Sequence, residues 1–337
     1  MITDARALET TYLPQDLEHR DGQISQLAAA LEPITNGIGG EHSLIFGPSG
    51  SGKTTLAKYV VRKLRQESFG VRRAYWNCMS GSSKTEVLHG LAQDSGIGNH
   101  LSRDGTAAST FIETFRETDD HIVAILDEVD VLEDETLLLG LGDLPNVTIV
   151  GITIDEDDFF ANYQLNGRVK SRFSSAETLR LRKYAHQELV DILLARIDAG
   201  LRPGVITMDV VEYIADIAAG DAREAIKHLE KATKRVMRDD RSQIRHDDVN
   251  AIHSAARTDL RQDHIDTLGT HKRLLYDIVA DAGRIGVTDL HATYEERAGD
   301  PKPNRTRRRY LSTLVDKYGL LEATGTGRGK NYSIPDL

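Results

Sequence analysis

The sequence predicts an α/β domain built on a parallel sheet, then an all-α domain, then a C-terminal winged helix-turn-helix unit. Three observations predict this. The apolar run Ser43–Phe46 passes directly into the glycine-rich turn Gly47–Thr54 and then into a helical pattern. Strand-like runs stop before about residue 184, where the spacing becomes helical. Beyond Gly269, three helix patterns precede a glycine-punctuated segment suited to a hairpin.

The elements follow in order. Ser43–Phe46 reads as a strand, and Thr54–Gln66 as a helix with Leu56, Tyr59, Val60 and Leu64 on related faces. Ala74–Cys78 reads as a second strand, and 84–95 and 106–117 as helices. Ile122–Leu126 is wholly apolar and ends in Asp-Glu, the pattern of a buried strand, and Val147–Thr153 is another. Strands alternating with helices imply a parallel sheet covered on both faces, assigned to residues 1–175. His186–Ala199, Asp209–Ala218, Ala222–Arg238 and Asp247–His264 read as helices of a second domain, 176–265, with a break and a new cap at Gly220-Asp221. The third unit, 266–337, holds helices over Lys272–Ala282, Thr288–Arg297 and Arg305–Tyr318, and a hairpin within Leu320–Ile334.

Composition narrows the class. The 337 residues are enough for two or three domains with an ample core. No apolar run approaches the ~18 residues of a membrane helix, and Met1–Glu9 lacks a signal-peptide pattern. No membrane partner is expected. Cys78 is the sole cysteine, so an intrachain disulfide is excluded and a cytoplasmic, nucleoid-associated location is expected. Asp outnumbers Glu by 32 to 20 and Arg outnumbers Lys by 29 to 13, the balance of a protein adapted to concentrated salt. Charge is also segregated. Residues 1–257 carry net −11, yet 302–330 carry net +6.

Gly47-Pro48-Ser49-Gly50-Ser51-Gly52-Lys53-Thr54 fits G-x-x-x-x-G-K-[ST] between a strand and a helix, the context that makes this pattern a phosphate loop. Gly50 and Gly52 can turn successive N–H groups toward one point, and the helix N-terminus adds positive potential there. Lys53 is placed to reach the β- and γ-phosphates of ATP, and the Thr54 hydroxyl to hold Mg²⁺. Gly47, Ser51 and Thr55 complete the candidate loop. Asp127 ends a buried strand where it can bind Mg²⁺ through water. Glu128 beside it is placed to orient and deprotonate an attacking water.

Asp127-Glu128-Val129-Asp130 resembles the hydrolysis motif of AAA+ ATPases. More narrowly, the chain resembles the archaeal replication initiators of the origin-recognition and licensing family along nearly its whole length. Tyr12-Leu13-Pro14 with His19-Arg20 resembles that family's lead-in, which packs near the adenine. Gly151-Ile152-Thr153 and the segment Arg168–Phe173 resemble its sensor strand and arginine-finger region. Tyr184 with Leu189–Leu193 and Arg196 resembles the start of its lid, and Gly220-Asp221-Ala222-Arg223 its second sensor. The resemblance implies that Tyr184 packs on adenine, that Arg196 lies near phosphate or ribose, and that Arg223 reports on the γ-phosphate. It also implies an arginine finger acting on a neighbour, with Arg172 favoured and Arg168 its competitor. The family's polar Asn at the end of the sensor strand is replaced by Ile154, which cannot hydrogen-bond. Binding of ATP or ADP is therefore expected to be firmer than turnover, and any ATPase activity slow.

A winged helix places its third helix in the DNA major groove and its wing along the minor groove. Here the third helix begins Asn304-Arg305-Thr306-Arg307-Arg308-Arg309, with Arg305, Arg308 and Arg309 on one face. Arg307 is a further candidate contact. The wing carries Arg328 and Lys330 among Gly325, Gly327 and Gly329. The expected function is an ATP-controlled initiator that binds double-stranded origin DNA and helps load a replicative helicase, with self-association on DNA. The rivals are a paralogous regulator at non-origin sites, a clamp-loader-like ATPase and a signalling ATPase with a DNA-binding tail. The histidines show no metal-ligand spacing.

Overall fold

The computed structural model describes residues 1–161, 167–253, 265, 268–299 and 301–335, apart from the side chains of 158, 161, 168, 170, 316, 317 and 328. The chain divides into two compact units, Met1–His246 and Asp247–Leu337.

In the first unit, five parallel strands make one sheet in the order β2-β3-β4-β1-β5. They are β1 (Ser43–Phe46), β2 (Val71–Asn77), β3 (His121–Asp127), β4 (Val147–Thr153) and β5 (Glu177–Arg180). β1, β3 and β4 are almost entirely buried, which requires their continuous Val/Ile/Leu character. Alternate side chains serve two cores. Leu44, Phe46, Ala124 and Leu126 meet α3 (Lys84–Ser95), α4 (Ala108–Glu117) and α5 (Thr136–Gly142) on one face. Ile45, Val123, Ile125 and Ile152 meet α1 (Asp21–Leu31) and α2 (Lys53–Glu67) on the other.

Two short helices, α6 (Glu156–Ala161) and α7 (Gly167–Phe173), lead from β4 towards β5. Neither these nor β5 stood out in the sequence. β5 is four residues long with only Leu179 buried, too short to show a period, and it lies beyond the expected boundary at 175. α8 (His186–Gly200), α9 (Met208–Ala218) and α10 (Ala222–Arg238) form a helical layer in the same compact unit. α10 starts where Asp221 accepts the backbone N–H of Glu224, a cap on a strongly amphipathic helix. Of the helix expected over Asp247–His264, residues 254–264 lie outside the described residues.

The second unit holds α11 (Thr270–Ala282), α12 (Val287–Arg297) and α13 (Asn304–Ser312), with a three-stranded antiparallel sheet. Its strands β6 (Arg284–Gly286), β7 (Glu322–Thr324) and β8 (Asn331–Ser333) lie in the order β6-β8-β7. Leu275, Val279, Leu290, Tyr294, Leu311, Leu314 and Tyr332 make its core. β6 was not foreseen, because three residues between two helices carry no periodic signal.

Candidate functional site

The glycine-rich turn sits at the carboxyl end of β1, where ligands collect in open parallel sheets. Lys53 begins α2 and is buried, donating its ammonium to the carbonyls of Gly47 at 2.6 Å and Pro48 at 3.1 Å. Burial pulls its pKa below the ordinary lysine range, against the pull of Glu128 and Asp127. The buried hydroxyl of Ser51 has no hydrogen-bond partner among the described residues. The first N–H groups of α2 have no intrahelical acceptor either, so this end of the helix is built to receive an anion. Thr54 donates its hydroxyl to Asp127 Oδ2 at 2.7 Å, and the Tyr75 hydroxyl reaches the same oxygen at 3.2 Å. Burial and this carboxylate push the Tyr75 phenol well above its ordinary range, so it stays a donor.

Glu128 follows Asp127 in a left-handed conformation, φ 53°. Burial first, then Asp127 and Asp130, raises its carboxyl above the usual range, while Lys53 and Arg223 oppose the shift. Arg223, at the start of α10, is exposed and lines the same cavity of about 380 Å³ as Gly50, Lys53, Thr54, Asp127 and Glu128. The sequence-predicted phosphate loop, acidic pair and Arg223 thus converge on one pocket.

The end of β4 holds a relationship the sequence reading missed. Ile154 is half exposed (51%), and its carbonyl accepts the Gly47 N–H at 3.1 Å. Thr153 is buried and donates its hydroxyl to Asp130 Oδ1 at 2.7 Å. Pairing of β4 with β3 carries Thr153 toward the turn beyond Asp127, a neighbourhood that no local pattern announces. The Cys78 thiol is buried close by and pushed up to about 12 by burial and these carboxylates, which keeps it protonated.

A second cavity of about 380 Å³ adjoins the loop and includes Tyr12, Leu17, Gly52, Tyr184, Ile192 and Ile226 in its lining. Tyr184 lies so close to the loop that a Cβ at Gly52, φ 91°, would meet its hydroxyl at 2.5 Å. Arg20 lies 3.9 Å from the centre of the Tyr184 ring. Only 2% exposed, it donates to the carbonyls of Ser51 and Arg182, each at 3.0 Å. Arg196 also lines both cavities, but its guanidinium is occupied elsewhere. It donates to the carbonyls of Ala7, Glu9 and Tyr12, at 3.0, 3.3 and 3.1 Å. Arg196 thus stands in the lining of the pocket, as the resemblance implies, while its guanidinium holds the lead-in.

Arg172 pairs with Asp143 at 2.7 Å and donates to the Gly142 carbonyl at 3.1 Å, both in its own chain. The side chain of Arg168 lies outside the described residues. In the second unit, Arg305, Arg308 and Arg309 are exposed on α13. Arg307 is the correction. It is 5% exposed and donates to the His291 carbonyl at 3.1 Å and to Glu295 Oε1 at 2.7 Å. It faces α12 because it is two residues from Arg305 and one from Arg308, which rotates it off their face of the helix. Lys330 lies 5.2 Å from the Tyr332 ring centre, and the side chain of Arg328 lies outside the described residues. No group of three or more His, Cys, Asp or Glu that could hold a metal ion occurs among the described residues. No helix among them is long and apolar enough to cross a membrane.

Comparison with known proteins agrees with this geometry. Residues 39–154 match the family model of an AAA domain, and 190–254 that of the Cdc6 AAA+ ATPase-type lid domain. ORC1-type DNA replication protein 9 of Halobacterium salinarum is 37% identical over 337 residues, covering all of this chain and 94% of the relative. ORC1-type DNA replication protein 1 of the same organism is 35% identical, covering 90% of this chain and 99% of that one. That source accords with the salt-adapted composition. Among solved structures, the fold resembles that of the Aeropyrum pernix ORC1 protein in complex with DNA, with a TM-score of 0.80 and 24% identity over 99% of this chain and 93% of that one. An AAA+ sheet, a Cdc6-type lid and full-length likeness at this identity place the chain in the family of ORC1-type DNA replication proteins.

Proposed function

We propose that this protein is a nucleotide-switched replication initiator that binds double-stranded origin DNA and assists loading of the replicative helicase. The observation that carries the DNA reading is the exposed face formed by Arg305, Arg308 and Arg309 in a chain that is otherwise acidic. Three helices and a three-stranded sheet with a short basic hairpin support a winged-helix reading of the second unit, with α13 in the major groove. The relative solved with DNA supports the same reading.

ATP or ADP fits the first unit. Lys53, the orphaned Ser51 hydroxyl and the free N–H groups of α2 suit phosphates, and the cavity beside Tyr184 suits a base. Thr54 and Asp127 would hold Mg²⁺, which supplies charge neutralisation on the phosphates. Glu128 is half-buried, and burial raises its carboxyl above the usual range, which makes it a stronger base for the proton of an attacking water. The apolar Ile154 favours slow turnover, so the nucleotide acts as a switch more than a fuel. Arg172 acting in trans on a second copy would need to leave Asp143.

Two measurements test the proposal. Lys53→Ala should abolish ADP binding by calorimetry. Removal of 269–337 should abolish duplex binding while nucleotide binding by the remainder persists. Unchanged duplex affinity after that deletion would sink the DNA assignment, and chromatin sites away from replication start points would favour the regulator.

A further inference from the structure

The first twenty residues are held by two arginines on different layers of the first unit. Arg196 of α8, 6% exposed, donates to the carbonyls of Ala7, Glu9 and Tyr12 and lies 4.9 Å from the Tyr12 ring centre. Arg62 of α2 donates to the next three carbonyls, Leu13 at 3.2 Å, Pro14 at 2.5 Å and Gln15 at 3.2 Å. Ownership of the segment therefore changes between Tyr12 and Leu13, from the helical layer to the sheet layer. The ends are tied in the same divided way. Thr3 N–H donates to the Gly200 carbonyl of α8 at 2.8 Å, and Arg20 donates to Ser51 in the phosphate loop at 3.0 Å. Between these ties, Tyr12 and residues 14–18 form one wall of the cavity beside Tyr184.

Neither guanidinium is paired with a carboxylate among the described residues; each spends its fork of donors on main-chain oxygens. Burial without a counter-charge lowers the pKa of Arg196, a cost offset by its three acceptors and the tyrosine face. Arrays of this kind fix the path of a segment that has little regular structure of its own. We propose that Arg62 and Arg196 are positioning residues that build the base-side wall of the nucleotide pocket, Arg62 from the sheet layer and Arg196 from the helical layer. The inference rests on the nucleotide reading above. It adds that affinity for the base is set by two side chains that bond the wall from behind, and it gives Arg62 a part that no sequence motif suggested. Because the wall is shared between two layers at Tyr12–Leu13, a base seated against it also links those layers.

The test uses the full chain with ADP as the probe. Arg62→Met and Arg196→Met should each weaken ADP binding by more than tenfold in calorimetry, and Arg62→Lys should recover only part of the loss. Hydrogen exchange should rise in residues 10–18 and stay as in the parent in residues 47–54. Affinity within twofold of the parent in Arg62→Met would overturn the inference, as would exchange rising throughout the first unit. Arg62 is half-buried, so its variants decide the question even where Arg196→Met does not fold. Lys53→Ala separates the two levels. If the parent and Lys53→Ala are alike in failing to bind ADP, the nucleotide reading fails; if only Lys53→Ala fails and Arg62→Met binds normally, the wall proposal alone fails.

Discussion

The backbone N–H of Ala222 donates to the carbonyl of Gly50 at 3.1 Å, so the first residue of α10 is seated on the phosphate loop. Asp221, which caps the same helix, fills the space where a side chain at position 50 would begin: a Cβ there would lie 1.8 Å from its Oδ1. Loop and helix thus share one boundary, made of main chain and the Asp221 carboxylate.

Gly50→Ala tests that boundary. Gly50 has φ 68°, so alanine there costs about 1–2 kcal/mol in backbone strain. Displacing the Asp221 cap adds about 1 kcal/mol. Denaturant unfolding should show a loss near the sum, and ADP affinity should fall more than tenfold. Adding Asp221→Ala should recover part of the stability, because the two effects are coupled through contact.

Glu128→Gln should stabilise the nucleotide-free protein at neutral pH. The folded chain raises the Glu128 pKa, chiefly by burial, so it holds that proton more tightly than the unfolded chain does. The carboxyl therefore favours folding below its unfolded pKa, and that contribution is lost as pH rises through the folded value. Glutamine stays neutral and escapes the loss. The gain should be at most about 1 kcal/mol after solvent screening, and smaller at pH 5 than at pH 7.5. Thermal unfolding at the two pH values measures it, and equal differences would contradict the shift. The same variant should keep ATP binding and lose hydrolysis.

Thr153→Val removes the hydroxyl that holds Asp130 and changes shape little. The loss of that bond should cost about 1–3 kcal/mol in denaturant unfolding, with Thr153→Ser recovering most of it. ATP turnover should fall further than ADP affinity, because Asp130 lies two residues from Glu128. Unaltered turnover would mean that this bond steadies the fold without steadying the acid turn.

The arginines of α13 should separate into two behaviours. Arg308→Ala should leave stability within about 0.5 kcal/mol and weaken duplex binding. A phosphate contact would show as a drop of about one in the salt slope, and a guanine contact as a loss of about 1–3 kcal/mol at one base pair. Arg307→Met should instead lower the unfolding temperature, since it strips donors from His291 O and Glu295, and leave the salt slope unchanged. Titrating specific and scrambled duplexes at several salt concentrations distinguishes them.

The sequence by itself determined the phosphate loop, the acidic strand end, the switch from alternating to all-helical pattern and the basic C-terminal helix. Each is a local statement: the glycines, Lys53 and Thr54 must be adjacent for main-chain N–H groups to converge, and Ile122–Asp127 must be continuous to be buried on both faces. Tertiary structure alone decided where the isolated arginines go. Arg62 and Arg196 bond carbonyl oxygens, which every residue possesses, so no residue type in the lead-in announces its partner. Arg307 looks like its neighbours in sequence, and only the packing of α13 on α12 turns it inward. Thr153 and Asp130 are 23 residues apart and meet because β4 pairs in register beside β3. A guanidinium or hydroxyl takes its role from the acceptor that folding brings to it, and that acceptor is set by register and packing.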